Sequence, residues 1–194
     1  QFRKFGLIMA AIEHENKELP PADYYDDYLP HMLSLLDTEL MADVLKAQLF
    51  PFQSETFVVV LCRLVRVKYK PHKNCLAVYD FTAKHILTEK QQNFCITCRT
   101  YESQGATRRF DKAIKKYEGN LSDFPAVFHV PELEIIGWVF PCESKILSLP
   151  FISHAHYLKH SILPELVRSA WGRDWQIVSS SSSLMHYVPE HTCT

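Results

Sequence analysis

The chain has 194 residues, of which 47% are hydrophobic and 22% are charged. This length suits one domain, or one domain and the start of another, and the composition excludes a globally disordered chain. A formal net charge of −1 argues against electrostatic capture of nucleic acid or of an anionic membrane. No apolar run approaches the ~18 residues that a membrane span requires. We therefore expect a globular protein whose partners include neither nucleic acid nor a membrane.

Residues 1–50 are predicted to form an N-terminal helical segment. Residues 2–17 are typical of an amphipathic helix rather than a signal peptide, since the apolar stretch is short and acidic residues follow it. An acidic aromatic connector over residues 23–28 leads to a second predicted helix over 37–49, with Asp37 as its N-cap. The apolar stripe of this second helix consists of Leu40, Met41, Val44, Leu45 and Leu49.

Residues 51–172 are richer in β-forming sequence. Strands are predicted over 56–69, 76–81, 93–101 and 132–140, and helices over 106–117 and within 152–170. The first three strands are expected to form an antiparallel meander, with 82–92 as the connector between the second and third. Because strands and helices do not alternate regularly, the sequence predicts an α+β fold. Its expected form is an antiparallel sheet with packed helices, either kinase N-lobe-like or cystatin-like.

The cysteine pattern indicates reduced thiols. The chain has six cysteines and five glycines, and Cys62, Cys95 and Cys98 lie inside strand-like runs rather than in glycine-rich loops. A disulfide framework is therefore not expected, and buried thiols are typical of a cytoplasmic protein.

One short pattern, Tyr-x-Pro-x-x-x-Cys, occurs twice. It runs from Tyr69 to Cys75 and again from Tyr187 to Cys193, where it follows a predicted strand over 175–187 that five serines interrupt. Because proline fixes φ and ends strand pairing, the pattern predicts a strand, a turn and a return strand.

Few residues form a recognisable catalytic or metal-binding pattern. Cys95 and Cys98 have the spacing of a zinc or redox pair, but residues three apart on a strand point to opposite faces. His154, His156 and His160 could also supply metal ligands. The five glycines are not clustered, which excludes the glycine-rich phosphate-binding signatures. The basic face of the helix over 106–117 is interpreted as a solvated surface.

Read in order, several segments resemble the aminoglycoside phosphotransferase-like kinases, a superfamily that includes choline kinases and maltokinases. The resemblance covers roughly residues 37–194, and its most specific phrases are 65–79, 94–101 and 138–150. It implies that 65–79, 94–101 and the helix through Tyr117 correspond to the first hairpin, the third strand and the following helix of the family's N-terminal lobe. The segment 138–150 resembles a phrase of bacterial members that have an extended N-terminal region. The family's phosphate-pairing lysine would then fall at Arg99, which keeps the charge but not the compact ammonium group.

The sequence also departs from the family pattern. Residues 106–117 contain no glutamate to pair with Arg99, and neither a His-x-Asp-x-x-x-x-Asn catalytic loop nor a metal-binding Asp segment follows. By itself the chain is therefore not expected to be a kinase. The resemblance implies a degenerate N-lobe-like cap over 51–172 and the start of a second lobe-like sheet over 173–194. ATP and Mg²⁺ are expected only with a downstream catalytic region, whose lobes and small-molecule substrate would be the partners of this cap.

Two other classes of function remain open at this stage. A standalone α+β interaction module, without enzymatic activity, could hold a partner through an exposed sheet edge or through Tyr24, Tyr25 and Tyr28. A metal-dependent protein could use Cys95, Cys98 and the histidines between 154 and 160.

Overall fold

A computed structural model describes residues 25–117, 123–172, 176–180, 187–188 and 192–193. The helix predicted over 2–17 lies outside the described residues. No helix in these ranges is both long enough and apolar enough to cross a membrane.

The described ranges contain six α-helices and seven strands. The helices are α1 (Met32–Leu36), α2 (Thr38–Leu49), α3 (Gly105–Ile114), α4 (Leu149–Ser153), α5 (Ala155–Tyr157) and α6 (Leu163–Trp171), with a π-helical turn joining α5 to α6. The strands are β1 (Phe57–Lys70), β2 (Asn74–His85), β3 (Gln91–Tyr101), β4 (Val127–Val130), β5 (Ile135–Val139), β6 (Tyr187–Val188) and β7 (Thr192–Cys193).

The first five strands form one antiparallel sheet in the order β1-β2-β3-β5-β4. The expected three-stranded meander is confirmed, and α3 connects its last strand to the two that complete the sheet. The predicted α+β class with an antiparallel sheet and packed helices is therefore correct.

Helices α1 and α2 cover one face of the sheet, and α3 covers part of the other. Leu35, Met41 and Leu45 from the two N-terminal helices join Tyr79 and Phe81 in the main hydrophobic core. A second, smaller core lies under α3 and contains Tyr101, Ala106, Ala113, Ala126, Val127, Ile136, Trp138 and Cys142. Burying both faces of the central strands explains why β2 is apolar along most of its length.

Helix α2 shows how the local sequence determines an element. Asp37 caps it as predicted, because its carboxylate accepts hydrogen bonds from the backbone N–H groups of Glu39 (2.9 Å) and Leu40 (3.1 Å). Met41 and Leu45 of the predicted stripe are buried, whereas Leu40 is 39% exposed and lies outside the core.

Several predicted boundaries are wrong. Strand β2 continues to His85, so the connector to β3 is shorter than predicted because Lys84 and Gln91 still pair across the hairpin. Residues 131–133 form a 3₁₀ turn instead of a strand, and β4 before it was not predicted. Residues 176–180 have no regular structure, so the strand expected there is absent from that described stretch.

The contact between Gly137 and Phe128 tests the packing of β4 against β5. The two residues pair directly across these strands, and a Cβ at Gly137 would overlap the ring of Phe128. We expect Gly137→Ala to lower the free energy of unfolding by about 2–4 kcal/mol, measured by urea denaturation. The Phe128→Leu/Gly137→Ala double variant should recover part of this loss, and equal losses in both variants would contradict the packing.

Candidate functional site

Both copies of the Tyr-x-Pro-x-x-x-Cys pattern form the predicted hairpin, and they do so with the same register. In the first copy Tyr69 pairs with Cys75 across β1 and β2. In the second copy Tyr187 pairs with Cys193 across β6 and β7. The strand–turn–return-strand interpretation is therefore confirmed for the first copy, and the predicted pairing of the two strands is confirmed for the second.

The tip of the first hairpin is held by the buried carboxylate of Asp26, which is 1% exposed. Its Oδ2 accepts hydrogen bonds from the hydroxyl of Tyr69 (2.7 Å) and the backbone N–H of His72 (2.9 Å). Its Oδ1 accepts one from the backbone N–H of Tyr28 (2.9 Å) and lies 3.2 Å from Nδ1 of His72. The carboxylate thus joins the segment before α1 to the turn of the repeated pattern.

Two opposing effects act on the pKa of Asp26. Burial alone would raise it, but the hydrogen bonds from His72, Tyr69 and Tyr28 outweigh burial and lower the pKa below its ordinary value. The carboxylate is therefore ionised at neutral pH and contributes to folding in that form. Sequence reasoning placed Asp26 in a solvated connector. The sequence contained one indication of this role. An aspartate can accept a hydrogen bond from the backbone N–H two residues later, which here belongs to Tyr28.

Arg99 lies on β3, between Leu76 on β2 and Ile136 on β5. Ile136 belongs to the small core under α3, so Arg99 shares the sheet face that this helix covers. Helix α3 itself contains no glutamate. The nearby Glu102, which precedes the helix, pairs with Arg109 at 3.1 Å. A nucleotide-phosphate contact for Arg99 stays a prediction.

A cleft of about 200 Å³ lies between α3 and the sheet, next to this region. It combines cationic side chains from the helix with aromatic rings, mainly from β3 and β5. Its walls are formed by Tyr101, Arg109, Lys112, Ala113, Lys116, Tyr117, Trp138 and Ser144.

The aromatic and cationic groups of this cleft are ordered by specific contacts. The guanidinium carbon of Arg109 lies 4.3 Å from the centroid of the Tyr101 ring, which is a cation–π arrangement. The hydroxyl of Tyr117 donates to the backbone carbonyl of Glu143 and accepts from its N–H at 2.8 Å. Burial raises the pKa of Tyr117 to about 12, so the phenol remains protonated and keeps both hydrogen bonds. The cleft was not predicted from the sequence.

The buried carboxylate of Glu143, 1% exposed, fixes the turn beyond β5. It accepts hydrogen bonds from the backbone N–H groups of Lys145 (3.0 Å) and Ile146 (2.6 Å). Ser144 is held within this turn and reaches the wall of the cleft. Glu143, like Asp26, was not identified by sequence reasoning.

Cys62, Cys75, Cys95 and Cys98 are free thiols, as predicted. Cys95 and Cys98 lie on opposite sheet faces, and Cys98 is fully buried in the main core near Tyr79. Burial raises the pKa of Cys62, Cys75 and Cys95 to about 12. These thiols therefore stay protonated at neutral pH, which suits packing and disfavours nucleophilic chemistry.

The histidines of the predicted metal cluster lie near one another on the surface. The ring centroids are 6.5 Å apart for His154 and His156 and 4.5 Å apart for His156 and His160. His154 accepts a hydrogen bond from the N–H of Tyr157 (3.3 Å), so it caps helix α5. Within the described ranges, no group of three His, Cys, Asp or Glu side chains could hold a metal ion.

Two of the three candidate interaction tyrosines can be placed. Tyr25 is 59% exposed and Tyr28 is 60% exposed, and the ring of Tyr28 stands edge-on to His72 with centroids 5.0 Å apart. Tyr24 lies outside the described residues. The exposed rings therefore flank the Asp26 carboxylate at the first hairpin tip.

Comparison with known proteins gives no relative. No protein-family model matches the chain, and no curated protein or solved structure is significantly similar to it.

The hydrogen bonds that Asp26 accepts from Tyr69, His72 and Tyr28, here called the Asp26 clamp, predict that stability depends on pH. Folding lowers the pKa of Asp26, so the ionised carboxylate stabilises the folded state. This stabilisation is complete at pH values above the ordinary carboxyl pKa. It is lost as the pH falls through the lowered pKa of the folded state. We expect Asp26→Asn to lower the free energy of unfolding by about 2–3 kcal/mol at pH 7. This deficit should shrink below about pH 4, measured by urea denaturation at stepped pH.

Asp27→Asn is the matched control, because Asp27 is the exposed neighbour and its substitution removes the same charge. It should change stability by less than about 0.5 kcal/mol at any pH. A deficit in Asp26→Asn that is constant down to pH 3, or equal to that of the control, would rule out the clamp.

Proposed function

We propose that this chain is the N-terminal, non-catalytic cap portion of an aminoglycoside phosphotransferase-like small-molecule kinase. Its role is to pack on the catalytic lobes that follow and to shape or gate their substrate site. The observation that carries the proposal is the Tyr-x-Pro-x-x-x-Cys hairpin, which occurs twice with one register. A repeated lobe-opening hairpin is what a lobe-like cap before a second lobe requires.

The order of elements supports the same proposal. In protein kinases the phosphate-pairing lysine is on the third strand and its glutamate partner is on a helix of the same lobe. Here α3 follows β3, and Arg99 lies on the face that α3 covers. This order is compatible with the proposed lobe, in which the arginine and the missing helix glutamate would account for the lack of catalysis.

The cap itself supplies neither a catalytic loop nor a metal-binding aspartate, and phosphoryl transfer requires both. In the proposal, ATP and Mg²⁺ bind to the downstream region, which also holds the small-molecule phosphoacceptor. The protein belongs in the cytoplasm, where ATP is available.

A surface suited to the following lobe is present on helix α6. None of its residues is buried, and Leu166 and Trp171 are 58% and 67% exposed. An amphipathic helix with partly exposed apolar side chains is a typical contact surface for another domain. We assign it to the lobe that begins at the second hairpin, which follows α6 in the chain.

The coding sequence beyond Thr194 tests this function. A His-x-Asp-x-x-x-x-Asn loop should occur within about 200 further residues, which is the size of another domain. An open reading frame of that length without the loop would refute the kinase proposal.

The docking of α6 predicts an effect that only the longer gene product shows. Leu166→Ser should lower the melting temperature of that product by about 2–4 °C, because the lobe contact is weakened. The 194-residue chain should be nearly unchanged, since the Leu166 side chain is 58% exposed in it. Leu87→Ser is the matched control, with an 84% exposed side chain away from α6. Equal shifts in the two variants would exclude docking through α6.

A standalone interaction module is the second candidate, and one observation favours it. Strand β1 is 14 residues long and lies at the edge of the sheet. Val58, Val60 and Val65 on this strand are 44%, 52% and 47% exposed. Such an edge can add an extended peptide as a further strand.

A capture experiment with the intact chain tests the module and distinguishes its two candidate binding surfaces. An extended-peptide partner should be lost with Val58→Lys/Val60→Lys and kept with Phe52→Lys/Leu87→Lys. A partner held by the tyrosine surface should instead be lost when Tyr24, Tyr25 and Tyr28 are changed to alanine. Recovery of no partner by the intact chain would eliminate the module.

A further inference from the structure

One side of α3 and of the 3₁₀ turn that extends it carries a row of positive charges. Arg109, Lys112 and Lys116 are spaced three and four residues apart, so they lie on one side, and all three line the cleft against the sheet. Sequence reasoning interpreted these residues as a solvated surface. In the structure Arg109 lies directly over the ring of Tyr101, and Lys112 and Lys116 line the same cleft as Trp138.

The positive charges in this row are only partly balanced. Arg109 pairs with Glu102 at 3.1 Å, but neither Lys112 nor Lys116 forms a salt bridge with a described acidic residue. Like charges four residues apart on a helix repel each other. An anion in the cleft would offset this repulsion, because each ammonium group would be attracted to it.

The aromatic wall contains a donor without an acceptor. Trp138 is 5% exposed, and its indole Nε1–H is buried with no hydrogen-bond partner. A buried unsatisfied donor typically costs about 1–3 kcal/mol, so such groups need an explanation. A ligand oxygen that enters the cleft after a small adjustment of its wall would satisfy this donor.

We propose that the cleft binds a small phosphomonoester with a flat ring as its organic part. Lys112, Lys116 and Arg109 recognise the phosphate, while Tyr101, Tyr117 and Trp138 contact the ring. Lysine and arginine are the usual phosphate ligands, and aromatic side chains favour stacking with flat rings. The volume of about 200 Å³ admits one ring and one phosphate but not a nucleoside triphosphate.

This site is independent of the proposed kinase function. All of the residues that form it belong to the cap itself, so it can be tested with the 194-residue chain. A missing downstream catalytic loop would leave the site unaffected, and failure of the site would leave the cap proposal unaffected.

The test is an NMR titration of the ¹⁵N-labelled chain, followed by the indole N–H signal of Trp138. The chain has three tryptophans, so Trp138→Phe identifies that signal by its disappearance. Phenyl phosphate is the probe, and inorganic phosphate and phenol are the two partial probes. We expect a saturable shift of the Trp138 signal with phenyl phosphate, at least about tenfold weaker binding of inorganic phosphate, and no saturation with phenol.

Charge substitutions then locate the site. Lys112→Ala/Lys116→Ala should weaken phenyl phosphate binding at least about tenfold. Lys90→Ala/Lys115→Ala removes the same charge from exposed positions outside the cleft and should change binding less than about twofold. All four lysines are exposed, so neither variant disturbs the core.

Three results would overturn the proposal. The absence of a saturable Trp138 shift up to about 20 mM phenyl phosphate would exclude the site, since that concentration lies well above millimolar affinity. Equal weakening by the two lysine pairs would reduce the effect to general electrostatics. Inorganic phosphate that binds as tightly as phenyl phosphate would refute the proposed ligand class.

Discussion

The carboxylate of Asp26 is the interaction on which the arrangement of this protein depends most. It joins the segment before α1 to the tip of the β1–β2 hairpin, although its partners Tyr69 and His72 lie far along the chain. Helices α1 and α2 then cover one face of the sheet and bury apolar side chains that include Tyr79 and Phe81. A buried carboxylate is stable only when its hydrogen bonds are complete, so the clamp specifies one docking position for the helices.

Because helices α1 and α2 cover one face of the sheet, the candidate functional residues lie on the other face. There α3 shields only the small core near β5, and Arg99 and the cationic cleft lie on the same face. This division suits a cap that presents a surface instead of a catalytic centre. It also explains why the described thiols, most of which are buried in or against the sheet, take no part in the proposed chemistry.

The sequence predicted those elements whose signals are local. Asp37 and the apolar spacing that follows it were sufficient for α2, and proline with its flanking residues was sufficient for both hairpins. Strand β4 was missed because Val127–Val130 is short and lies between two prolines. Asp26 and the cleft were missed for a different reason. Their partners come from distant segments, and only the tertiary fold brings Trp138 and Lys112 to one wall.

The central claim is that this chain is a lobe-like cap without a catalytic role, and Arg99 is the residue that tests it. In the proposal, Arg99 takes the third-strand position where a catalytic lobe would hold nucleotide phosphates. The decisive measurement is the ATP KM of the longer gene product with Arg99→Ala, beside its melting temperature. The account predicts a KM within about twofold of wild type, whereas an increase of tenfold or more at unchanged stability would contradict it.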